Sequence, residues 1–231
     1  MWRADVMRVV TYNVRGFRNG RDRVAAVVND LQPDVLLLQE TGSRRALRRF
    51  ASDVGMLAAR DPLSPLRRRV KNAVLLGEPW RFTSVELVRQ GRGKRWYPRG
   101  ALIARAATND HTLCAVSVHF GLEGAERGRQ ASTLEGLVAA LDGDMVVAGG
   151  DLNATPDMRV PRRIAAKLSD AWEEVGTGDG ATFPAFAPAA RIDYVFVADG
   201  PKVTGALVGG DGASEASDHL PVAVDLAVAR L

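Results

Sequence analysis

Eight polar residues of a few chemical types lie within or beside the strand-like apolar runs of this sequence, mostly at their ends. Four are carboxylates, two are amides and two are histidines: Glu40, Asp151, Asp193, Asp218, Asn13, Asn153, His119 and His219. The ends of strands in an α/β scaffold present residues to a site. An oxygen-rich set of this kind suits a hard cation such as Mg²⁺, and the histidines are suited to proton transfer.

Many strands are needed to position these residues. Ten segments have the length and the Val and Leu content of strands: 8–12, 34–39, 73–76, 82–88, 101–105, 112–119, 145–148, 192–197, 202–208 and 222–228. Helical spacing of apolar residues predicts helices over 24–31, ending before Pro33, and over 127–141. So many strands favour an α/β fold with two packed sheets covered by helices. No linker or repeat divides the chain, which indicates one domain over residues 1–231.

Six short motifs carry the eight polar residues in order along the chain. They are Thr11-Tyr12-Asn13-Val14-Arg15, Leu38-Gln39-Glu40, Val118-His119, Gly149-Gly150-Asp151-Leu152-Asn153-Ala154-Thr155-Pro156, Arg191-Ile192-Asp193-Tyr194 and Ser217-Asp218-His219-Leu220-Pro221-Val222. Together they resemble the endonuclease/exonuclease/phosphatase superfamily of metal-dependent phosphoesterases, which includes deoxyribonuclease I and exonuclease-III-type enzymes. The resemblance spans nearly the whole chain. It implies a four-layer α/β sandwich with two central mixed β-sheets flanked by helices.

The resemblance also implies a metal site. Glu40 is expected to be a direct Mg²⁺ ligand, with Mn²⁺ as a substitute, and Asn13 lies beside it as a neutral ligand or phosphate contact. In the family's second metal mode, a cation is held by Asp151, Asn153 and Asp218, so one ion and two ions both stay open. A cation of this kind polarises a phosphoryl oxygen and lowers the pKa of bound water.

A second implied unit pairs His219 with Asp193, which orients the imidazole and raises its basicity. In the exonuclease-III-type branch Asp151 is the alternative general base, with Asn153 holding phosphate or water. The sequence leaves both assignments of the base open. His119 occupies the position of a histidine in the deoxyribonuclease I branch, where a protonated imidazole can donate to phosphate or to the leaving group.

The distribution of charge favours an anionic partner. The formal net charge is +4, but residues 1–105 hold 22 Lys and Arg against 9 Asp and Glu, and the remaining residues hold 9 against 18. This asymmetry suggests nucleic acid, DNA or RNA, met by the first half of the chain. Candidate substrate-binding residues are the polar, basic and aromatic side chains of Asn72, Arg99, Trp96, Tyr97, Arg67, Arg68 and Arg69.

Other classes of protein are excluded or disfavoured by composition. No apolar run approaches the length of a membrane span, and the single cysteine, Cys114, excludes an internal disulfide. The start of the sequence has no apolar run of signal-peptide length, so we expect a cytoplasmic protein, monomeric by default. The sequence thus predicts a Mg²⁺-dependent phosphodiesterase, most simply a nuclease. The alternatives are a phosphohydrolase of small phosphoesters or phospholipid head groups and, more remotely, a non-catalytic nucleic-acid-binding module.

Overall fold

The computed structural model describes residues 6–62, 69–90, 97–141, 143, 145–198 and 200–228. The strands in this part of the chain are β1 (Val6–Asn13), β2 (Val35–Gln39), β3 (Leu57–Arg60), β4 (Ala73–Leu76), β5 (Arg81–Arg89), β6 (Gly100–Ala107), β7 (Thr112–His119), β8 (Met145–Asp151), β9 (Ser169–Asp170), β10 (Asp193–Val197), β11 (Val203–Val208) and β12 (Val222–Ala227). The α-helices are α1 (Arg21–Leu31), α2 (Arg44–Asp53), α3 (Gly124–Val138), α4 (Arg159–Ala165), α5 (Ala171–Val175) and α6 (Ala213–Ala216). None of the described helices is long and apolar enough to cross a membrane.

The strands form two six-stranded mixed sheets. The first has the order β11-β12-β1-β2-β4-β3, and the second has the order β5-β6-β7-β8-β10-β9. Each sheet has one parallel pair near its centre, β1 with β2 and β7 with β8, and its other neighbours are antiparallel. The central strands are buried on both faces, which explains the uninterrupted Val-Leu-Leu-Leu run of β2.

Three apolar clusters separate four layers. One cluster fills the space between the two sheets, with Leu37 of the first sheet and Val147 of the second among its members. A second cluster packs α1, α2 and α6 on the outer face of the first sheet, and a third packs α3 and α4 on the outer face of the second. The predicted four-layer α/β sandwich is therefore confirmed.

Strand β3 and helix α2 are among the elements that were not predicted from the sequence. Strand β3 is an edge strand whose burial is incomplete, so its sequence lacks an apolar run. Helix α2 contains four arginines, and they mask the apolar spacing of Leu47, Phe50 and Ala51, which are the buried residues of this helix.

Candidate active site

The two parallel pairs bring their polar ends to one edge of the sandwich. Asn13 at the end of β1 lies opposite Gln39 at the end of β2, and Glu40 follows directly. His119 at the end of β7 lies opposite Asp151 at the end of β8. Strand β10 begins at the same edge, with Asp193 opposite Asp151 in the antiparallel register. The topology therefore gathers residues that lie far apart in the sequence.

The backbone at this edge requires special residues. Gly150 has φ +147°, and a Cβ atom there would lie 1.9 Å from the carbonyl oxygen of Val118, so only glycine fits before Asp151. Glu40 and Asn153 both adopt left-handed backbone conformations, with φ of 53° and 50°. The Glu40 carbonyl accepts hydrogen bonds of 2.7 Å from the amides of Gly16 and Gly42, which holds this conformation. Such conformations are concentrated at functional sites.

Asp151 is the centre of the polar cluster and is buried. Its Oδ2 atom accepts a hydrogen bond from Asn13 Nδ2 at 3.0 Å, and its Oδ1 atom accepts one from the Asn153 amide at 2.9 Å. The Nε2 atoms of His119 and His219 lie 3.3 and 3.8 Å from Oδ2. Burial and the nearby Asp193 carboxylate raise the pKa of Asp151 above its ordinary value.

His219 is held by a hydrogen-bonded carboxylate. Its Nδ1 atom lies 2.8 Å from Asp193 Oδ2, which also accepts a 2.7 Å hydrogen bond from the Thr182 hydroxyl. The ionised carboxylate of Asp193 accepts a hydrogen bond from the Nδ1–H group of His219. The other ring nitrogen, Nε2, faces Asp151. Burial alone would lower the pKa of His219, but the charge and hydrogen bond of Asp193 outweigh it and raise that pKa to about 9.

His119 has the opposite electrostatic environment, although both imidazoles approach the same carboxylate. It is buried, and Arg99 and His219 add positive charge nearby. Burial first, and then these two cations, hold the pKa of His119 well below its ordinary value. The two histidines therefore differ in charge state near neutral pH, with His219 protonated and His119 neutral.

Glu40 lies on one wall of a cavity of about 40 Å³ beside His119. The predicted substrate-binding residues that share this cavity are Arg69, Asn72, Tyr97 and Arg99. Asn72 is fixed, since its Nδ2 atom donates to the carbonyls of Gly100 and Ser117 at 3.0 and 2.9 Å. Tyr97 is 63% exposed, so its ring is accessible at the mouth. Trp96, Arg67 and Arg68 lie outside the described residues.

Asp218 lies beside this cluster and forms an ion pair with Arg15. Its Oδ2 atom pairs with Arg15 Nε at 3.1 Å, while the neighbouring Ser217 hydroxyl donates to the Asn13 carbonyl at 2.7 Å. No role was predicted from the sequence for three of the site residues: Arg15, Ser217 and Thr182. Arg15 and Ser217 lie within the motifs quoted above, so the sequence held a signal for them, whereas Thr182 belongs to no motif.

The donor atoms at this edge fit a divalent cation. One ligand atom each from Asp151, Asp193 and His219 lies within 4.8 Å of the others. The Oδ1 atom of Asp193 is buried and has no hydrogen-bond partner in the structure. The predicted ligand set centred on Glu40 differs from this group and shares only Asp151 with it. Oxygen donors predominate in both sets, which matches the preference of Mg²⁺ and similar hard ions.

Comparison with known proteins agrees with this architecture. Two mixed six-stranded sheets between helical layers, with the polar site at one edge, define the deoxyribonuclease I-like fold. Residues 10–219 match the Endonuclease/Exonuclease/phosphatase family, and the chain belongs to this family. Its members are metal-dependent phosphoesterase hydrolases. The earlier family resemblance is therefore confirmed.

Solved structures share the fold at low sequence identity. An endonuclease/exonuclease/phosphatase from Bacteroides vulgatus is 18% identical with a TM-score of 0.81, and the match covers 96% of this chain and 98% of that one. Truncated Caenorhabditis elegans TDP2 is 19% identical with a TM-score of 0.75 and the same coverage. D. rerio TDP2, complexed with single strand DNA product, is 17% identical with a TM-score of 0.79, again with coverage of 96% and 98%. No curated protein matches the sequence.

Proposed function

We propose that this protein is a Mg²⁺-dependent phosphodiesterase that hydrolyses nucleic acid, and that its two sheets form one catalytic domain. The observation that carries the proposal is the convergence on Asp151 of two histidines and two amides, with Asp193 behind His219. Hydrolysis of a phosphodiester needs an activated water, neutralisation of phosphate charge and protonation of the leaving alkoxide. This cluster contains side chains suited to the proton transfers.

Asp151 and His219 form the proton-transfer unit in this proposal. Asn13 and the Asn153 amide hold the carboxylate of Asp151, and Asp193 with Thr182 holds the imidazole of His219. Each group is therefore oriented by hydrogen bonds on its far side, as proton transfer at a fixed position requires. Asp151 can accept the proton of the attacking water, and the protonated His219 can donate to phosphate or to the leaving group. The substitutions below separate their contributions.

The substrate phosphate is placed by groups around the small cavity. Arg99 and His119 lie there with Glu40, and Asn72 is fixed between two strands. Arg99 is the permanent positive charge nearest His119 in this set and is suited to contact a phosphate oxygen. Glu40, Asn13, Asp151, Asn153 and Asp218 are the residues that would hold metal. A bound Mg²⁺ supplies Lewis-acid stabilisation of phosphate charge and a more acidic water.

Nucleic acid is the favoured substrate class for two reasons. The basic residues are concentrated in the first half of the chain, and such a concentration of positive charge favours the binding of a polyanion. A structural neighbour, D. rerio TDP2, was determined with a single-strand DNA product. The proposed substrate contacts remain Arg69, Tyr97, Trp96, Arg67 and Arg68.

A substrate panel with Mg²⁺ tests the proposed function. It contains single-stranded, double-stranded and abasic DNA, RNA, bis-p-nitrophenyl phosphate as a diester and p-nitrophenyl phosphate as a monoester. We expect hydrolysis of at least one nucleic acid and of the diester, with the monoester turned over least. Turnover of the monoester alone would instead indicate a phosphomonoesterase, and binding of nucleic acid without hydrolysis of any substrate would indicate a binding module.

A further inference from the structure

A groove of about 540 Å³ lies between α3 and α4, on the outer face of the second sheet. Four arginines line it: Arg127, Arg129, Arg159 and Arg163. No carboxylate lines the groove within the described residues. This cationic surface belongs to the half of the sequence that is acidic overall, so the charge distribution along the chain did not point to it.

The groove begins beside the candidate active site. Helix α3 starts five residues after His119, and α4 starts eight residues after Asp151. The two connecting loops are joined to each other, because Asn153 Nδ2 donates to the Phe120 carbonyl at 3.0 Å. Only these two short, connected loops therefore separate the groove from the candidate active site.

The lining arginines are partly held in place. Arg127 donates to the Leu122 carbonyl at 2.6 Å and reaches Met158 Sδ at 4.0 Å, so it bridges α3 and the segment before α4. Arg163 pairs with Glu135. Arg129 and Arg159 are exposed and form no ion pair with any described residue. By contrast, Arg21 and Arg23 on α1 pair with Asp53 and Glu215.

Apolar surface lies at the end of the groove nearest the site. Leu122 is 73% exposed and Met158 is 41% exposed, and both precede the helices that form the walls. Exposed apolar side chains next to arginines can contact the faces of unpaired bases while the guanidinium groups contact phosphates. The combination fits a single strand, whose bases are free to make such contacts.

We propose, on the basis of the phosphodiesterase function above, that single-stranded nucleic acid leaving the active site lies along the groove between α3 and α4. Arg129 and Arg159 contact its phosphates, and Leu122 and Met158 contact its first bases. The groove then extends the substrate-binding surface to the side of the molecule opposite α2.

The salt dependence of oligonucleotide binding tests this placement. The probe is single-stranded DNA of about 12 nucleotides, measured by fluorescence anisotropy in EDTA so that it is not cleaved. Each phosphate contact adds roughly −0.7 to the slope of log K against log salt for a single strand. The double variant Arg129→Glu with Arg159→Glu should therefore flatten the wild-type slope by at least about 1.4.

A matched variant on another surface controls for net charge. Lys167→Glu with Lys202→Glu makes the same change of charge at two exposed residues of the second half of the chain that do not line the groove, and we expect it to keep the wild-type slope. Arg129→Gln with Arg159→Gln repeats the test if charge reversal unfolds the domain. A wild-type slope in the groove variants, an equal effect of the Lys167 and Lys202 variant, or no salt-dependent binding by the wild type overturns the proposal.

Two further measurements separate the explanations. Hydrolysis of bis-p-nitrophenyl phosphate by the wild type in Mg²⁺ tests the phosphodiesterase function without the groove, so the two proposals can fail independently. A glutamate-rich peptide tests a protein partner instead. Loss of peptide binding in the groove variants, with the oligonucleotide slope unchanged, would assign the groove to an acidic protein and overturn the proposal.

Discussion

Two groups of charged side chains lie at opposite ends of β1, and they differ in how fully their charges are paired. Where the strand begins, Arg8 donates from Nε and Nη2 to both oxygens of Asp225, at 2.7 and 2.8 Å, and from Nη1 to the Leu31 carbonyl at 3.0 Å. Its backbone amide donates to Asp34 Oδ2 at 2.7 Å. The charges of Arg8 and Asp225 therefore satisfy one another.

Where β1 ends, the carboxylates of Asp151 and Asp193 are buried close together with His219 between them. Asp193 Oδ1 has no partner, and burial with mutual repulsion raises the pKa of Asp151. Buried charges that are incompletely paired lower the stability of the folded state. This edge therefore stabilises the fold less than fully paired charges would. We infer from this difference that the first group stabilises the fold, whereas the second fits the proposed function.

Chelation should have the largest effect on the functional edge. Oxygen ligands bind Mg²⁺ or Mn²⁺ reversibly, so EDTA should abolish phosphodiester hydrolysis and either ion should restore it. Circular dichroism should show the fold unchanged, since both sheets are held by their own core. Full activity after exhaustive chelation would remove the metal from the proposed function.

Substitution of His219 should have the next largest effect. His219→Ala should lower kcat by at least ~10²-fold, the usual scale of a lost general acid or base, while the domain stays folded. His111→Ala is the control, because His111 lies on the turn between β6 and β7, away from the site. A His219→Ala variant within a few-fold of wild type would exclude this residue from the mechanism.

Substitution of Arg8 should change stability without changing activity. Arg8→Ala removes the two-pronged contact with Asp225 and leaves that partly buried carboxylate unpaired, which should cost about 2 kcal/mol of unfolding free energy. Urea denaturation measures the loss. The kcat value should stay within twofold of wild type, and a large decrease would mean that the two ends of β1 are not functionally separate.

The pH dependence of stability should show the smallest effect. Because the pKa values of Asp151 and His219 are raised, the folded protein, free of metal, binds more protons than the unfolded chain. For Asp151 this holds at pH values from the ordinary carboxyl pKa upward. For His219 it holds between pH 6.5 and about pH 9. Both groups therefore make unfolding easier as pH rises through those windows. Denaturation in EDTA at pH 6 and pH 9 should show this decrease, and Asp193→Asn should reduce it. A rise in stability over that interval would contradict the charge states inferred for the site.

Much of the fold could be predicted from the sequence because strongly apolar strands leave a clear pattern. The Val- and Leu-rich segments 73–76 and 112–119 correspond to β4 and β7 without any shift in bounds. Strand β9 has only two residues, too short for any periodicity to show. Strand β3 is an exposed edge, where packing imposes little pattern.

The candidate site was predictable as a set of residues but not as a set of contacts. Motifs identify Asp193 and His219, and the structure places them 2.8 Å apart. The Thr182 hydroxyl that shares Asp193 lies in a loop whose position depends on tertiary packing. The arginine groove between α3 and α4 likewise depends on how two helices pack, which charge counts along a chain do not record.

The most direct test of the account is a paired measurement of kcat and unfolding free energy for Asp151→Asn. Asparagine keeps the shape and one acceptor of Asp151 while it removes the buried charge. We predict a decrease in kcat of roughly 10³-fold for bis-p-nitrophenyl phosphate in Mg²⁺. We also predict an unfolding free energy within about 1 kcal/mol of wild type. Activity within a few-fold of wild type, or an inactive variant that has simply unfolded, would contradict the claim that this edge is built for catalysis and not for stability.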